Sequence, residues 1–348
     1  GRLIAGTAAF YAGVSPSILN SVLWLWSEGS ALPWGVWGIF FSIKAWRSAA
    51  AGKIQRTALF AFATVVCFVA LLMVKASMVI VAALFIVPFI VAWLVNMVRR
   101  NSAVAVAFLL AVLIIGGVFG VVVEGYKRIN LYCNGNYVLT NRIESALFGN
   151  TVRRLQPLTR NRLIQAVLSV PRLGLCEKYY GNACVYWTYK QSDILLELGM
   201  QECARQKLSS EHCREYLIKG ALQWMAWQPF QQVALSALEG AKMLFWENRV
   251  YFVRYPAWLA GVYNCNALVF TLCFGWAVLS LAGLVYAWTH WRAEFLLPAF
   301  FVVLFMAAYA IFFIDIRYAL PVAPLFIALV AGMTGSFIRN CFSAKAEV

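Results

Sequence analysis

Four charged residues, Glu28, Lys75, Asp315 and Arg317, stand at the ends of long apolar segments. Charge is costly in hydrocarbon, so each belongs at the water boundary or in a polar cavity at a helix end. In such a place Lys acts as a compact point charge, while Arg offers a planar fork of donors to an anionic group. A carboxylate beside them can take a proton from a hydroxyl or an amine. The densest case is residues 315–324, Asp315-Ile316-Arg317-Tyr318-Ala319-Leu320-Pro321-Val322-Ala323-Pro324, directly ahead of the apolar run 320–337. The plainer alternatives are an Arg anchor at the membrane edge and a carboxylate–cation pair with no chemical role.

The segments that must position these charges dominate the chain. It is 63% hydrophobic and 12% charged, with mean hydropathy +0.74, which excludes an ordinary soluble domain. Runs 3–25, 31–43, 57–74, 76–98, 103–123, 267–287 and 295–314 are of spanning or nearly spanning length, and 320–337 makes an eighth. Pro16 and Pro33 interrupt the first two. The expected fold is all-α: a polytopic transmembrane helical bundle, in two parts at residues 1–123 and 263–348, with an inserted, mainly helical external domain at 124–262.

A net charge of +15 invites a nucleic-acid reading, but its placement points to a membrane. Arg2, Lys44, Arg47, Lys53, Arg56, Arg99, Arg100, Arg292, Arg339 and Lys345 all fall on one face if the segments alternate in direction. The positive-inside rule makes that face cytoplasmic. Glu28, Lys75, Asp315, Arg317 and the long polar region then share the external face, which in a bacterium is the periplasmic face of the inner membrane. The chain opens Gly1-Arg2-Leu3, without the form of a signal peptide, and reads as the middle of a longer protein.

Within 124–262, Ser192-Asp193 reads as a helix start, and residues 215–246 read as two helices broken at Pro229. The second, with Lys242 and Arg249 near its end, fits either a helix lying on the membrane surface or an ordinary packed helix. Five of the nine cysteines fall here: Cys133, Cys176, Cys184, Cys203 and Cys213. Their clustering suits an oxidising compartment, and Cys176 with Cys184 and Cys203 with Cys213 are the closest pairs for disulfides. Cys67 and Cys273 lie in membrane segments. No C-x-x-C occurs, and His212 and His290 are the only histidines, so no metal site is expected among them. P-loop, G-x-S-x-G and H-E-x-x-H motifs are absent.

Taken in order, several elements resemble the C-type glycosyltransferase superfamily, polytopic enzymes that include aminoarabinose-to-lipid A transferases and protein O-mannosyltransferases. They are Arg2-Leu3-Ile4-Ala5, then Tyr11-Ala12-Gly13-Val14-Ser15-Pro16, then Leu25-Trp26-Ser27-Glu28. Leu71 to Ala76 is similar to the family's helix ending in Thr-Lys or Thr-Arg-Pro, with Val74 where the family has Thr. Gln228-Pro229 and residues 242–246 match the helix pair before the late spans. Arg317-Tyr318 with Pro321 and Pro324 matches the R-Y-x-x-P-x-x-P element.

The resemblance implies transfer of a sugar from a polyprenyl-phosphate donor to a lipid, glycan or protein acceptor at the external face. Lys75 and Arg317 would bind the donor phosphate, with Asp315 and Tyr318 in support. Glu28 would assist catalysis, hold a divalent metal ion or pair with a cation, and the principal acidic residue would lie upstream of residue 1. No other cofactor is implied. A lipid-linked-sugar flippase or other transporter and a non-catalytic membrane assembly subunit are the competing classes.

Overall fold

The computed structural model describes residues 2–15, 18, 27–76, 78–135, 137–139, 143–170, 173–247, 266–311 and 316–344. Within these, the side chains of residues 14, 27–29, 143–146, 189, 266–268, 316–318 and 341–344 lie outside the description. Among the described residues the fold is helical throughout, and six helical stretches are long and apolar enough to cross a membrane: Ile54–Val74, Met78–Val98, Ser102–Asn134, Val269–His290, Ala293–Ile311 and Ala319–Asn340. In hydrocarbon no water pairs with backbone N–H and C=O groups, so an apolar run of this length must satisfy them within a helix.

The chain divides into two compact units, one made of residues 1–139, 275–305 and 320–348, the other of 140–274 and 306–319. The first holds α1 (Arg2–Val14), α2 (Ser27–Ala50), α3 (Ile54–Val74), α4 (Met78–Leu84), α5 (Val87–Val98), α6 (Ser102–Val112) and α7 (Phe119–Asn134). The expected boundary at 123/124 falls inside α7. The polar residues after Val123 continue the helix until Gly135, whose φ of +69° lets its N–H close on the Leu131 carbonyl.

Two expected spans remain, 3–25 and 31–43, and residues 3–14 of the first are helical. Part of the first lies outside the described residues. The second sits within the 24-residue α2, which also carries Glu28, Lys44 and Arg47. Two spans are irregular for identifiable reasons. Pro88, lacking an N–H, sits in the first turn of α5 and divides 78–98 into two helices. Residues Leu113–Val118 form a π-turn between α6 and α7, where a side chain on Gly116 would strike Ile86.

Aromatic rings fill the interior of this unit. Phe68, Phe85 and Phe301 meet with centroids 5.4–6.0 Å apart, and Trp46 lies edge-on to Phe108 at 4.9 Å. Edge-to-face pairs of this kind add about 0.5–1.5 kcal/mol beyond area burial. Ser42 donates to the Gly38 carbonyl at 2.7 Å within α2, so the polar group needs no water. Leu59, Phe62, Val66 and Met73 of α3 are exposed, as a lipid-facing surface should be.

Contacts within the first unit collect the basic residues at one end. The α2–α3 turn, where Gly52 takes φ +67°, sits against Ala103 at the start of α6. Arg47 pairs with Glu294, and Gly332 of α16 (Ala323–Ala344) packs on Phe295. Gly335 lies 3.6 Å from Ile4 of α1 by its would-be Cβ. Arg2, Arg47, Lys53, Arg56, Arg99, Arg100, Arg292 and Arg339 therefore share one surface.

The second unit contains α8 (Ile143–Arg153), α9 (Arg160–Leu168), α10 (Leu175–Tyr180), α11 (Tyr189–Arg205), α12 (Ser210–Trp227) and α13 (Pro229–Ala241). It also contains the start of α14 (Asn266–His290) and the end of α15 (Ala293–Ile311). Thr159 and Ser209 cap α9 and α12 by accepting from the N–H groups of Arg162 and His212, each at 3.3 Å. Ser192 does not start a helix as its sequence suggested. It lies buried inside α11 and donates to Asn150 at 3.0 Å, beside Gly149, which has no room for a Cβ against the Ser192 carbonyl. The break at Pro229 is where the sequence placed it.

Single cysteines introduced at Ala51 and Asn101 should react with a membrane-impermeant maleimide from one side of the membrane. The native, exposed Cys133 should react from the other. Labelling of all three from one side would overturn this arrangement.

Candidate functional site

Lys75 closes α3 in an extended conformation, φ −146° and ψ 94°. Its N–H donates to Leu71 and its carbonyl accepts from Met78, both at 2.9 Å. The residue is half-buried in a non-helical joint between two spanning helices. Such a joint is where a chain that spans the membrane can carry a cation at the helix end. Because α2 and α3 form an antiparallel pair, Glu28 in the first turn of α2 and Lys75 at the end of α3 mark the same end of that pair, opposite the basic turn.

The start of α16 joins this end. The Pro321 carbonyl lies 3.8 Å from where a Gly35 Cβ would be, seven residues, or about 10 Å, along α2 from Glu28. Ala319, Leu320, Val322 and Ala323 are buried. The short 3₁₀ turn Ile316–Val322 carries Arg317 and Tyr318. Their side chains, that of Glu28 and the whole of Asp315 lie outside the described residues. Among the described residues no group of three or more His, Cys, Asp or Glu is arranged to hold a metal ion.

In the second unit the structure shows a charged cluster that the sequence reading missed. Arg153, Arg154, Glu239 and Lys242 are all buried. Glu239 Oε1 lies 3.1 Å from Lys242 Nζ and 3.4 Å from Arg153 Nη2, and Lys242 also donates to Ser169 at 3.0 Å. Arg154 donates to the Ala310 carbonyl at 2.6 Å, the Ile311 carbonyl at 3.3 Å and Ser236 at 2.8 Å. It thereby caps the C-terminus of α15, where orphan carbonyls and the helix dipole favour a cation. The end of α8 is held likewise: Gln232, Tyr186 and Gln231 donate to the carbonyls of Thr151, Arg153 and Arg154.

Three cations thus surround one carboxylate. Burial pushes the Glu239 carboxyl up, but attraction to Lys242, Arg153 and Arg154 and the Lys242 hydrogen bond outweigh it and hold it below the usual carboxylate range. Burial lowers Lys242, with Glu239 opposing, and brings Arg154 down to about 10. Nε and Nη1 of Arg153 are buried without a hydrogen-bond partner. Lys242 therefore points into the protein and is not the solvent-facing charge of a surface helix. The Glu239/Lys242 i,i+3 spacing and the Arg153-Arg154 pair were visible in the sequence, but the same spacing serves an exposed face.

Both expected disulfides are present, Cys176–Cys184 and Cys203–Cys213, with Cα separations of 5.7 and 5.5 Å. The second packs with Phe148 and Leu217. His212, the neighbour of Cys213, instead hydrogen-bonds to Ser209 through Nδ1 at 2.7 Å. No protein-family model matches the chain, and neither a curated protein nor a solved structure is similar to it.

Replacing Glu239 by Gln would strand the buried cations and should destabilise this unit by roughly 3–5 kcal/mol. Lys242→Met should cost far less, because Arg153 and Arg154 still face the carboxylate. Since the folded carboxyl is depressed, its contribution is present above about pH 4.3 and is lost as pH falls through the folded value. Urea-dependent pulse proteolysis of the bilayer-embedded protein measures both variants and the acid limb. Equal losses for the two variants would contradict the charge count.

Proposed function

We propose that the chain is a membrane-embedded transferase that takes a sugar from a polyprenyl-phosphate donor and passes it to a lipid, glycan or protein acceptor. The observation that carries the reading is the setting of Lys75. It is a half-buried cation in a break between spanning helices, at the end of the α2–α3 pair away from the basic surface. The positive-inside rule makes the basic surface cytoplasmic, so the chemistry belongs to the external face, periplasmic if the membrane is a bacterial inner membrane.

The leaving group in such a transfer is a lipid phosphate. Lys75 and Arg317 are the residues proposed to bind it, because fixed cations stabilise the charge that grows on the leaving oxygen. The resemblance of residues 317–324 to the R-Y-x-x-P-x-x-P element supports the role of Arg317. Asp315 and Tyr318 flank it, and Glu28 is the proposed local carboxylate, as proton acceptor, metal ligand or counter-charge.

Losing one charged contact to a phosphate in a dehydrated site removes about 2–4 kcal/mol of transition-state stabilisation. Arg317→Ala should therefore slow transfer about a hundredfold, at roughly 1.4 kcal/mol per tenfold. Arg317→Lys should restore only part of the rate, because an ammonium does not reproduce the bidentate fork. Sugar transfer by the full chain in bilayers, at saturating donor, reads both. An unchanged rate in Arg317→Ala would sink the assignment.

A further inference from the structure

The corner between α12 and α13 turns large apolar side chains outward. On α13 the polar Gln232 and Glu239 are buried at 3% exposure beside the equally buried Leu235, while Phe230 and Val233 are exposed at 90% and 68%. Trp227, the last residue of α12, is 72% exposed and Leu222 is 54% exposed. From Gly220 to Leu238 the chain carries no charged side chain, so nothing charged interrupts this face. In water a helix sorts its residues the other way, and a contiguous apolar face of this kind marks a contact with something apolar.

What that partner is follows from the position of α13 in its unit. Gly240, at the C-terminal end of α13, packs directly on the end of the spanning helix α15, its would-be Cβ 3.3 Å from Ala310 Cβ and 3.4 Å from the Met306 carbonyl. Just beyond, Phe245 meets Phe274 of the spanning helix α14, with ring centroids 5.2 Å apart, and the Cys273 thiol reaches the Phe245 carbonyl at 3.9 Å. The C-terminal end of α13 is thus pinned where two membrane helices end. Phe230 lies ten residues, about 15 Å, along the helix from Gly240.

We propose that Trp227, Phe230 and Val233 form a wedge seated in the lipid bilayer at its external surface. The chemistry fits that place. Trp at the helix end is the residue type favoured at the headgroup level, and Phe and Val beside it reach the acyl boundary as in an interfacial helix. Pro229 supplies the bend that brings the ends of two helices to one apolar corner, at a position where its missing N–H costs no helix hydrogen bond. The wedge needs only the membrane fold, so it stands or falls separately from sugar transfer.

Spin labels report the outcome. The full chain, with Cys67, Cys133, Cys265, Cys273 and Cys341 replaced by Ala and both disulfides kept, is reconstituted in vesicles of phosphatidylcholine and phosphatidylglycerol. Labels go on Phe230→Cys, Val233→Cys and, as a control at the start of α12, Glu211→Cys. Oxygen, which concentrates in hydrocarbon, should relax the labels at 230 and 233 more than a water-soluble nickel chelate does, and the order should reverse at 211. If the chelate prevails at 230 and 233, the corner is in water and the proposal is wrong. If neither reagent reaches them, protein covers the corner, and the proposal is equally wrong.

Discussion

Taking a charge out of water is the most expensive event in this fold, and the placement of nearly every ionic group follows from it. In the membrane unit the charges are moved to the helix ends. Eight basic residues collect on one surface, and the contacts Gly52–Ala103, Arg47–Glu294 and Gly332–Phe295 hold that surface together. In the other unit four charges are kept inside, with Glu239 held by Lys242 and Arg153 and Arg154 placed on the carbonyls at the end of α15.

The two solutions meet different needs. A helix end at the membrane surface can leave its cation half-buried, as Lys75 is. A sealed cluster has no such freedom, and its role is to fix elements relative to one another. Arg154 ties α8 and α13 to the last turn of α15, immediately ahead of the segment that carries Arg317. The disulfides add a second restraint. Each closes a short loop, worth roughly 2–3 kcal/mol in the chain-entropy model, in a unit made of short helices with small cores.

Run length and composition were enough to read the spanning helices, because hydrocarbon leaves the backbone no alternative. The two cysteine pairs and the Pro229 break were legible for equally local reasons. Other features depend on what a residue meets across the fold. Ser192 resembled a cap because Ser-Asp often starts a helix, yet it serves Asn150 from within α11. Lys242 fitted either a helix on the membrane surface or a packed one, because spacing along a helix does not say which face is wet. The π-turn at Leu113–Val118, where Ile86 comes close to Gly116, and the run of α7 as far as the left-handed Gly135 have no periodic signature. Of the candidate site, the sequence supplied Lys75 and Arg317 through their positions beside apolar runs, while the Arg153–Glu239 cluster became visible only in three dimensions.

The cation in the α3–α4 joint is proposed to serve a lipid phosphate. The most direct test is to give the full chain, in bilayers, a polyprenyl-phosphate-linked sugar with membrane lipid extract as acceptor, and to follow sugar-free polyprenyl phosphate by mass spectrometry. Release should saturate with donor, be lost in Lys75→Ala and be partly kept in Lys75→Arg. Donor that stays intact, or that crosses the bilayer with its sugar still attached, would contradict this role.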